Sequence, residues 1–168
     1  MDKVLLVVNM QEFYVGRGRN KKLFDYKDVD KLIDSVNKRI AAYEAEEVFY
    51  IKTIGKGLFK GGMPKANTAE SDLVTKMKVV SKNVYMKSKA DAFTNDALGD
   101  FLRARNVKSV ELVGVDGGVD VGATALSALD YVKEVMYNEA CVESIDTEKD
   151  NKLREKLSKT KCKFISEV

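Results

Sequence analysis

The alternation of short apolar runs with amphipathic helical patterns is the feature that most restricts the fold of this chain. Lys3–Val8 (KVLLVV) is a continuous apolar run with several β-branched residues, which is typical of a strand buried on both faces of a parallel sheet. Residues 28–43 follow with apolar side chains at helical spacing between charged ones. Because this order repeats to the C-terminus, the sequence predicts an α/β fold, namely a doubly wound, mostly parallel sheet with helices on both faces in three Rossmann-like layers.

The remaining elements follow the same logic. Further strands are predicted at residues 47–52, 84–86, 109–113 and 161–165, and another begins at 134–137. Thr94 and Thr147 are predicted to cap two helices, and the glycine-rich stretch GVDGGVDVG opens a third that runs to about Tyr131. Residues 9–20 and the long glycine-punctuated stretch 54–81 are predicted to be loops. The spacing of GVDGGVDVG does not fit a dinucleotide-binding fingerprint, so nucleotide binding is not expected.

Length and charge restrict the class of protein. The chain has 168 residues, one proline and no linker-like segment, which predicts a single domain spanning residues 1–168. The net charge is +3, and lysines are interspersed with acidic residues, so no nucleic-acid partner is expected. The densest basic run, GRGRNKK at 16–22, is interpreted as a solvated loop, with an anion-facing loop as the alternative. No apolar run could span a membrane and no signal-peptide pattern is present, so we expect a cytoplasmic protein.

The chain contains no histidine. Its absence excludes histidine general acid–base catalysis, serine–histidine and cysteine–histidine pairs, and histidine-ligated zinc. We expect no metal and no cofactor. The two cysteines do not form a disulfide framework, and Cys162 is expected to pack in the last strand. Cys141 is interpreted as a small buried apolar residue, with a displaced nucleophile as the alternative.

Parallel strands bring their carboxyl ends to one edge of the sheet, where ligands bind. Asn9, Lys52, Lys87 and the loop 115–120 are expected at that edge. From the residues alone, Asp120 is interpreted as a helix N-cap, Gly117 and Gly118 as residues that permit an unusual turn, and Lys87 as a solvated lysine.

Three segments, in this order, resemble the isochorismatase-like (nicotinamidase-related) cysteine hydrolases. They are VVNMQEFY at 7–14, VYMKSKADAF at 84–93 and ELVGVDGGVDVGATALSALD at 111–130. The positions that fit the family pattern are Met10, Gln11, Phe13, Lys87, Ala92, Phe93, Gly114, Val119, Val121, Thr124 and Ala125. A Glu139–Ala140 pair resembles the Asp–Ala pair that the family has after the next strand. The resemblance covers nearly the whole chain and implies the same α/β fold.

The resemblance also implies where the site lies. The family's catalytic Asp, Lys and Cys correspond to Asn9, Lys87 and Asp120. Substrate contacts are expected from Gln11, Phe13, Asp116, Gly117 and Gly118, with an oxyanion hole formed by the amides of Asp116 and Asp120 beside a cis Val115–Asp116 bond. The nicotinamidase subgroup binds a metal through an Asp and histidines, and this chain lacks the histidines.

Two of the three family catalytic groups are therefore replaced. Asn9 cannot act as a base, because an amide has no proton that titrates near neutral pH. Asp120 at a helix N-terminus is expected to be an ionised carboxylate, a poor nucleophile toward amides that also opposes a developing oxyanion. We predict that Lys87 and Asp120 form an ion pair with Asn9 nearby.

Three hypotheses follow from these replacements. The first is a family member without the family's cysteine-dependent hydrolysis, which keeps its pocket for a small molecule, such as an anion held by Lys87. The second is a hydrolase with altered chemistry, in which Asp120, tuned by Lys87, attacks an sp³ carbon or activates water. The third is a structural role in a homo-oligomer, an assembly common in the family, with the loop 54–81 as the interface.

Overall fold

The computed structural model describes residues 1–56 and 62–168, which form one six-stranded parallel sheet. The strand order is β3-β2-β1-β4-β5-β6, with every neighbouring pair parallel. The strands are β1 (Lys3–Val8), β2 (Val48–Thr53), β3 (Val84–Lys87), β4 (Ser109–Val115), β5 (Glu134–Glu143) and β6 (Cys162–Ile165). The order reverses between β1 and β4, as in doubly wound α/β proteins. The predicted α/β fold is confirmed.

Helices cover both faces of this sheet. They are α1 (Glu12–Val15), α2 (Val29–Ile40), α3 (Asp96–Ala104), α4 (Gly122–Ala128) and α5 (Thr147–Ser158). The apolar residues of α1 and α2 pack in one core, and those of α3, α4 and α5 pack in the other. The β1 side chains alternate between the two cores, with Leu6 in one and Leu5 in the other, both fully buried. This double burial explains the uninterrupted apolar run of β1.

Several element boundaries differ from those predicted. Helix α1 lies inside the predicted loop 9–20, because a single turn is too short to show helical periodicity. Asn95, not Thr94, caps α3 by accepting from the Ala97 amide, and Asp146, not Thr147, caps α5 by accepting from the Lys149 amide. Each predicted cap was one residue off, because neighbouring Thr, Asn and Asp residues are all good N-caps.

The remaining boundaries shift by a few residues. Helix α2 starts after its cap Asp28 and ends at Ile40, three residues before the predicted end, and β4 and β5 extend beyond the predicted segments. Strand β5 forms an irregularity against β4 between the partners of Leu112 and Gly114. The helix predicted to run to about Tyr131 is instead a π-helical turn, Gly117–Val121, followed by α4, which ends at Ala128.

Gly114 marks the closest approach between β4 and β1. Its φ is +124°, and a Cβ at this position would lie 2.0 Å from the Val8 carbonyl oxygen. Only glycine tolerates both the backbone conformation and the contact. The close approach brings the segment after β4 against the end of β1.

The predicted loop 54–81 is partly described. It contains a short 3₁₀ turn, Ala69–Ser71, and Leu73 pairs with Gln11 in an isolated antiparallel bridge. Gly57 and Gly61, which helped to predict this loop, lie outside the described residues. Among the described helices, none has the length and apolar character needed to cross a membrane.

Candidate functional site

The carboxyl edge of the sheet carries a buried ion pair. Lys87, the last residue of β3, donates through Nζ to Asp120 Oδ1 and to the Lys89 carbonyl oxygen, the latter at 3.1 Å. The Lys87 side chain is fully buried, whereas that of Asp120 is 18% exposed. Burial lowers the pKa of Lys87, and the Asp120 carboxylate opposes that shift. The pair predicted between these residues is present, and it leaves the ammonium group no exposed surface.

Asn9 lies directly after β1, with its backbone in the left-handed region at φ 56°. Asparagine tolerates this conformation better than most residues do. Its buried side chain accepts through Oδ1 from the Thr53 hydroxyl at 2.7 Å, and Thr53 is the register partner of Lys87. Within the described residues, no hydrogen bond joins Asn9 to Lys87. The amide therefore lies one strand away from the ion pair and fixes the end of β2.

Asp116 adds a second carboxyl group to this edge. The Val115–Asp116 peptide bond is cis, at the position that the family resemblance implied. In the described part of the chain, Asp116 Oδ1 is buried without a hydrogen-bond partner. Burial, with a smaller contribution from the charge of Asp120, raises the pKa of Asp116 to about 6. The carboxyl group therefore changes charge near neutral pH.

Two tyrosines border the same carboxylates. Burial raises the pKa of Tyr14 and of Tyr26 well above the ordinary value, and the negative charges of Asp116 and Asp120 raise both further. Both hydroxyl groups therefore stay neutral throughout the physiological range. Neither residue was selected from the sequence: Tyr14 lies in the predicted loop 9–20, and Tyr26 lies between that loop and the predicted helix 28–43.

We expect the Asp116→Asn variant to be more stable than the wild type at pH 8 but nearly equal to it at pH 4. The folded-state pKa of about 6 lies above the ordinary value of 3.8, so the folded protein keeps a proton that the unfolded chain loses. Stability contributed by this group is therefore present at low pH and lost as pH rises toward 6. Because Asp116 is partly exposed, the Asp116→Asn variant should gain only roughly 1–2 kcal/mol of unfolding free energy at pH 8.

Urea unfolding at the two pH values measures this difference. Asp34→Asn, which removes an exposed carboxylate from α2, is the matched control and should change stability little at either pH. An equal effect of Asp116→Asn at both pH values would contradict the account.

The π-helical turn that carries Asp120 is held by polar groups behind it. The Gly118 amide donates to Ser144 Oγ at 2.9 Å, and Ser144 Oγ donates to Asp150 Oδ1 at 2.8 Å. A Cβ on Gly117 would lie 2.3 Å from the Tyr137 hydroxyl, and one on Gly118 would lie 2.5 Å from the Asp150 amide nitrogen. The two glycines thus lie against the start of α5. Their predicted role in substrate contact stays a prediction.

The other predicted binding residues differ in their exposure. Gln11 is fully buried: its Nε2 donates to the carbonyl oxygens of Thr53 and Ser71, both at 3.1 Å, and its Oε1 accepts from the Thr53 amide at 2.7 Å. Gln11 therefore joins β2 to the 3₁₀ turn. Phe13 is only partly buried and packs on Tyr14 and Phe24.

Phe13 borders a cleft of about 940 Å³. The cleft lies between residues 12–24 and residues 69–75, and neither Lys87 nor Asp120 lines it. A second cleft of about 660 Å³ is lined by Lys87 together with Met86, Lys89 and the start of α3. Lys52 was also predicted at this edge. Its Nζ lies 3.8 Å from Oδ1 of Asp72, which lines the first cleft.

The two cysteines lie away from the ion pair at the carboxyl edge of the sheet. Cys141 is buried in the core beneath α2, and its Sγ contacts the Glu167 carbonyl oxygen at 3.4 Å. Burial, followed by the charge of Glu111, raises the pKa of the Cys141 thiol to about 12. Burial likewise raises the pKa of Cys162 to about 11. Both thiols are thus protonated at neutral pH, which disfavours Cys141 as a displaced nucleophile.

The sequence matches the model of the isochorismatase domain over residues 3–166. The chain belongs to the isochorismatase family. The membership agrees with the family resemblance of the three motif segments, and it places Asn9, Lys87 and Asp120 on an isochorismatase fold. No curated protein sequence matches the chain significantly.

Solved structures show the same isochorismatase-like fold. The pyrazinamidase of Pyrococcus horikoshii in complex with zinc is 23% identical, covers 99% of each chain and superposes with a TM-score of 0.83. A nicotinamidase and pyrazinamidase of Acinetobacter baumanii is 17% identical over 98% of this chain and 96% of its own, with a TM-score of 0.82. The N-carbamoylsarcosine amidase of Thermoplasma acidophilum is 20% identical over 99% and 96%, with a TM-score of 0.76. At these identities the likeness shows the fold alone.

A zinc site does not fit the residues at this edge. The chain has no histidine, and the described residues contain no group of three or more His, Cys, Asp or Glu side chains that could hold a metal ion. The carboxylate of Asp120 is already bound by Lys87. We therefore derive no chemical step through a metal.

Proposed function

We propose that this member of the isochorismatase family binds a small molecule in the cleft beside Phe13 and does not carry out cysteine-dependent hydrolysis. The observation that carries the proposal is the buried Lys87–Asp120 ion pair. A family hydrolase would need a thiol where Asp120 lies and a proton acceptor where Asn9 lies.

The ion pair makes Asp120 a weak nucleophile. Its carboxylate charge is neutralised by an ammonium group that is fully buried, and Lys87 Nζ donates in addition to the Lys89 carbonyl. A carboxylate that attacks an amide would form a less stable mixed anhydride, and its charge opposes the oxyanion of the intermediate. The pair therefore supports loss of amide hydrolysis by the family route.

Asn9 offers no substitute for the missing base. Its amide oxygen accepts from the Thr53 hydroxyl, and an amide does not exchange a proton near neutral pH. The hydrogen-bond partners of Lys87 are Asp120 and the Lys89 carbonyl, so no hydrogen bond in the described residues links Lys87 to Thr53. The proton transfer that would activate a nucleophile thus has no acceptor along this line of residues.

The cleft beside Phe13 favours binding over a purely structural role. It has ordinary ligand-pocket volume, and its lining combines the packed rings of Phe13 and Phe24 with polar and charged side chains. Lys87, the residue from which anion binding was predicted, does not line this cleft, and its ammonium group is buried and paired. A neutral ligand that packs on Phe13 fits these surroundings best.

The test combines thermal shift with hydrolysis assays on the wild-type protein, using pyrazinamide, nicotinamide, N-carbamoylsarcosine and isochorismate as probes. We expect at least one probe to raise the melting temperature, since a ligand present at about 100 times its Kd adds about 2.7 kcal/mol. Phe13→Ala should abolish that shift, whereas Val80→Ala, at an exposed apolar residue that does not line the cleft, should keep it. We expect no probe to be hydrolysed above background.

Two outcomes would overturn the proposal. Turnover of a probe by the wild type that is lost in Asp120→Ala would instead support a hydrolase with altered chemistry based on Asp120 and Lys87. A chain that binds no probe and hydrolyses none would support the structural hypothesis.

A further inference from the structure

One of the two edges of the sheet, at β3, is formed by an unusually basic segment. Residues 76–89 (KMKVVSKNVYMKSK) contain five lysines and no acidic residue. The segment includes β3, which is the outermost strand, and no other described strand pairs with its outer side. We call residues 76–89 the basic edge.

The basic edge also exposes apolar side chains. Val79 is 56% exposed, Val80 43%, Val84 40% and Met86 52%. The Tyr50 hydroxyl donates to the Lys78 carbonyl and accepts from the Val80 amide, so residues 78–80 lie on the sheet face to which Tyr50 projects. Val84 is the register partner of Tyr50 and projects to the same face. Exposed apolar residues thus gather along one side of an open strand, which is a mark of an interaction surface.

Backbone groups of β3 are available on its outer side. The Tyr50 amide donates to the Asn83 carbonyl and the Ile54 amide donates to the Lys87 carbonyl, both at 2.8 Å, so odd-numbered residues of β3 face β2. The amide and carbonyl groups of Val84 and the amide of Met86 therefore face outward. The Met86 carbonyl already accepts from Asn95 Nδ2 at 3.0 Å. An added strand could pair with the remaining groups.

The charges of the basic edge decide which strand fits. Lys76 pairs with Asp30 and Lys87 with Asp120. Lys78, Lys82 and Lys89 are exposed, and no carboxylate of the described residues forms a salt bridge with them. A second copy of this chain paired through β3 would gather two sets of exposed lysines along one seam, which is unfavourable.

We propose that the basic edge binds an extended, acidic segment of another protein, which adds to β3 as a further strand. Main-chain hydrogen bonds to Val84 and Met86 would supply pairing, and apolar side chains of the segment would cover Val80, Val84 and Met86. Its carboxylates would pair with Lys78 and Lys82. The proposal is independent of the ligand cleft, because the cleft beside Phe13 contains none of these residues.

The probe is a short capped peptide in which glutamate alternates with valine, compared with the same peptide carrying glutamine for glutamate. We expect the acidic peptide to shift the backbone amide resonances of Val84 and Met86 in ¹⁵N spectra of the full chain. Lys78→Glu with Lys82→Glu should weaken binding by about tenfold or more, and added salt should weaken wild-type binding. Lys156→Glu with Lys161→Glu changes the net charge equally on another surface and should alter binding by less than about twofold.

Three results would overturn the proposal. One is the absence of amide shifts at Val84 and Met86 at about 1 mM peptide. Another is equal binding of the glutamine peptide, which would remove the role of charge. The third is a dimer in sedimentation experiments that dissociates in the Lys78→Glu, Lys82→Glu variant, because the basic edge would then be a contact between copies.

Discussion

We expect Asp120→Ala to lose about 3–5 kcal/mol of unfolding free energy, because it removes one partner of a buried ion pair. The Lys87 side chain is fully buried and would retain only the Lys89 carbonyl as an acceptor. A buried ammonium group without a counter-charge favours its neutral form, so the pKa of Lys87 should fall further in the variant. The lost stability should therefore be partly regained as pH rises. Urea unfolding across the alkaline range measures both effects.

Lys87→Met combined with Asp120→Ala is the control for this prediction. Removing both charges leaves no uncompensated ion, so the double variant should be more stable than Asp120→Ala alone despite carrying more substitutions. A loss below about 1 kcal/mol in Asp120→Ala would contradict the picture of a buried, mutually dependent pair.

Arg39→Met is expected to lower the free energy of unfolding by a similar amount, about 3–5 kcal/mol, because it unpairs a second buried carboxylate. Glu111 is fully buried in β4 and receives two hydrogen bonds of 2.7 Å from the Arg39 guanidinium. The variant would leave that carboxylate with only the Tyr43 hydroxyl, at 2.6 Å, and Asn138 Nδ2, at 2.7 Å. These neutral donors do not balance a buried charge.

Lys38→Met is the matched control, since Lys38 is an exposed cation on the same helix as Arg39. It should change stability by less than about 0.5 kcal/mol in the same urea experiment. Equal losses in the two variants would show that net charge, rather than the buried pair, controls stability.

The fold could be predicted from local patterns in the sequence. The run Lys3–Val8 is apolar throughout because both faces of β1 are buried, and the repeated alternation with helices requires parallel strands. The strand pattern predicted that Lys87 and the segment after β4 lie at one edge of the sheet. The pairing of Lys87 with Asp120 was predicted only from the family resemblance, because the residues alone favoured a solvated lysine and a helix N-cap.

Other parts of the site depend on tertiary contacts that no local pattern displays. The hydrogen bond from Thr53 to Asn9 joins residues 44 positions apart, and it shows only once β1 and β2 are in register. The Gly118 amide donates to Ser144, which donates to Asp150, and these residues lie in separate segments of the chain. Glu111, in the middle of an apolar strand, gives no sign that Arg39 lies opposite it.

The replacements at the family positions are chemically consistent with one another. A family site with an aspartate, a lysine and a thiol has one permanent carboxylate beside the lysine. In this chain Lys87 has its carboxylate partner at Asp120, and an amide occupies position 9. Under the proposed loss of the reacting groups, the buried lysine still keeps a counter-charge.

The most direct test of the central claim is an amide-hydrolysis assay of the wild type beside the Asn9→Asp, Asp120→Cys variant, with pyrazinamide and nicotinamide as substrates. The double variant places an acidic group and a thiol at the positions that resemble the family's catalytic Asp and Cys, around an unchanged Lys87. We predict that the variant hydrolyses an amide and that the wild type does not. Hydrolysis by the wild type at a rate equal to or above that of the variant would contradict the account.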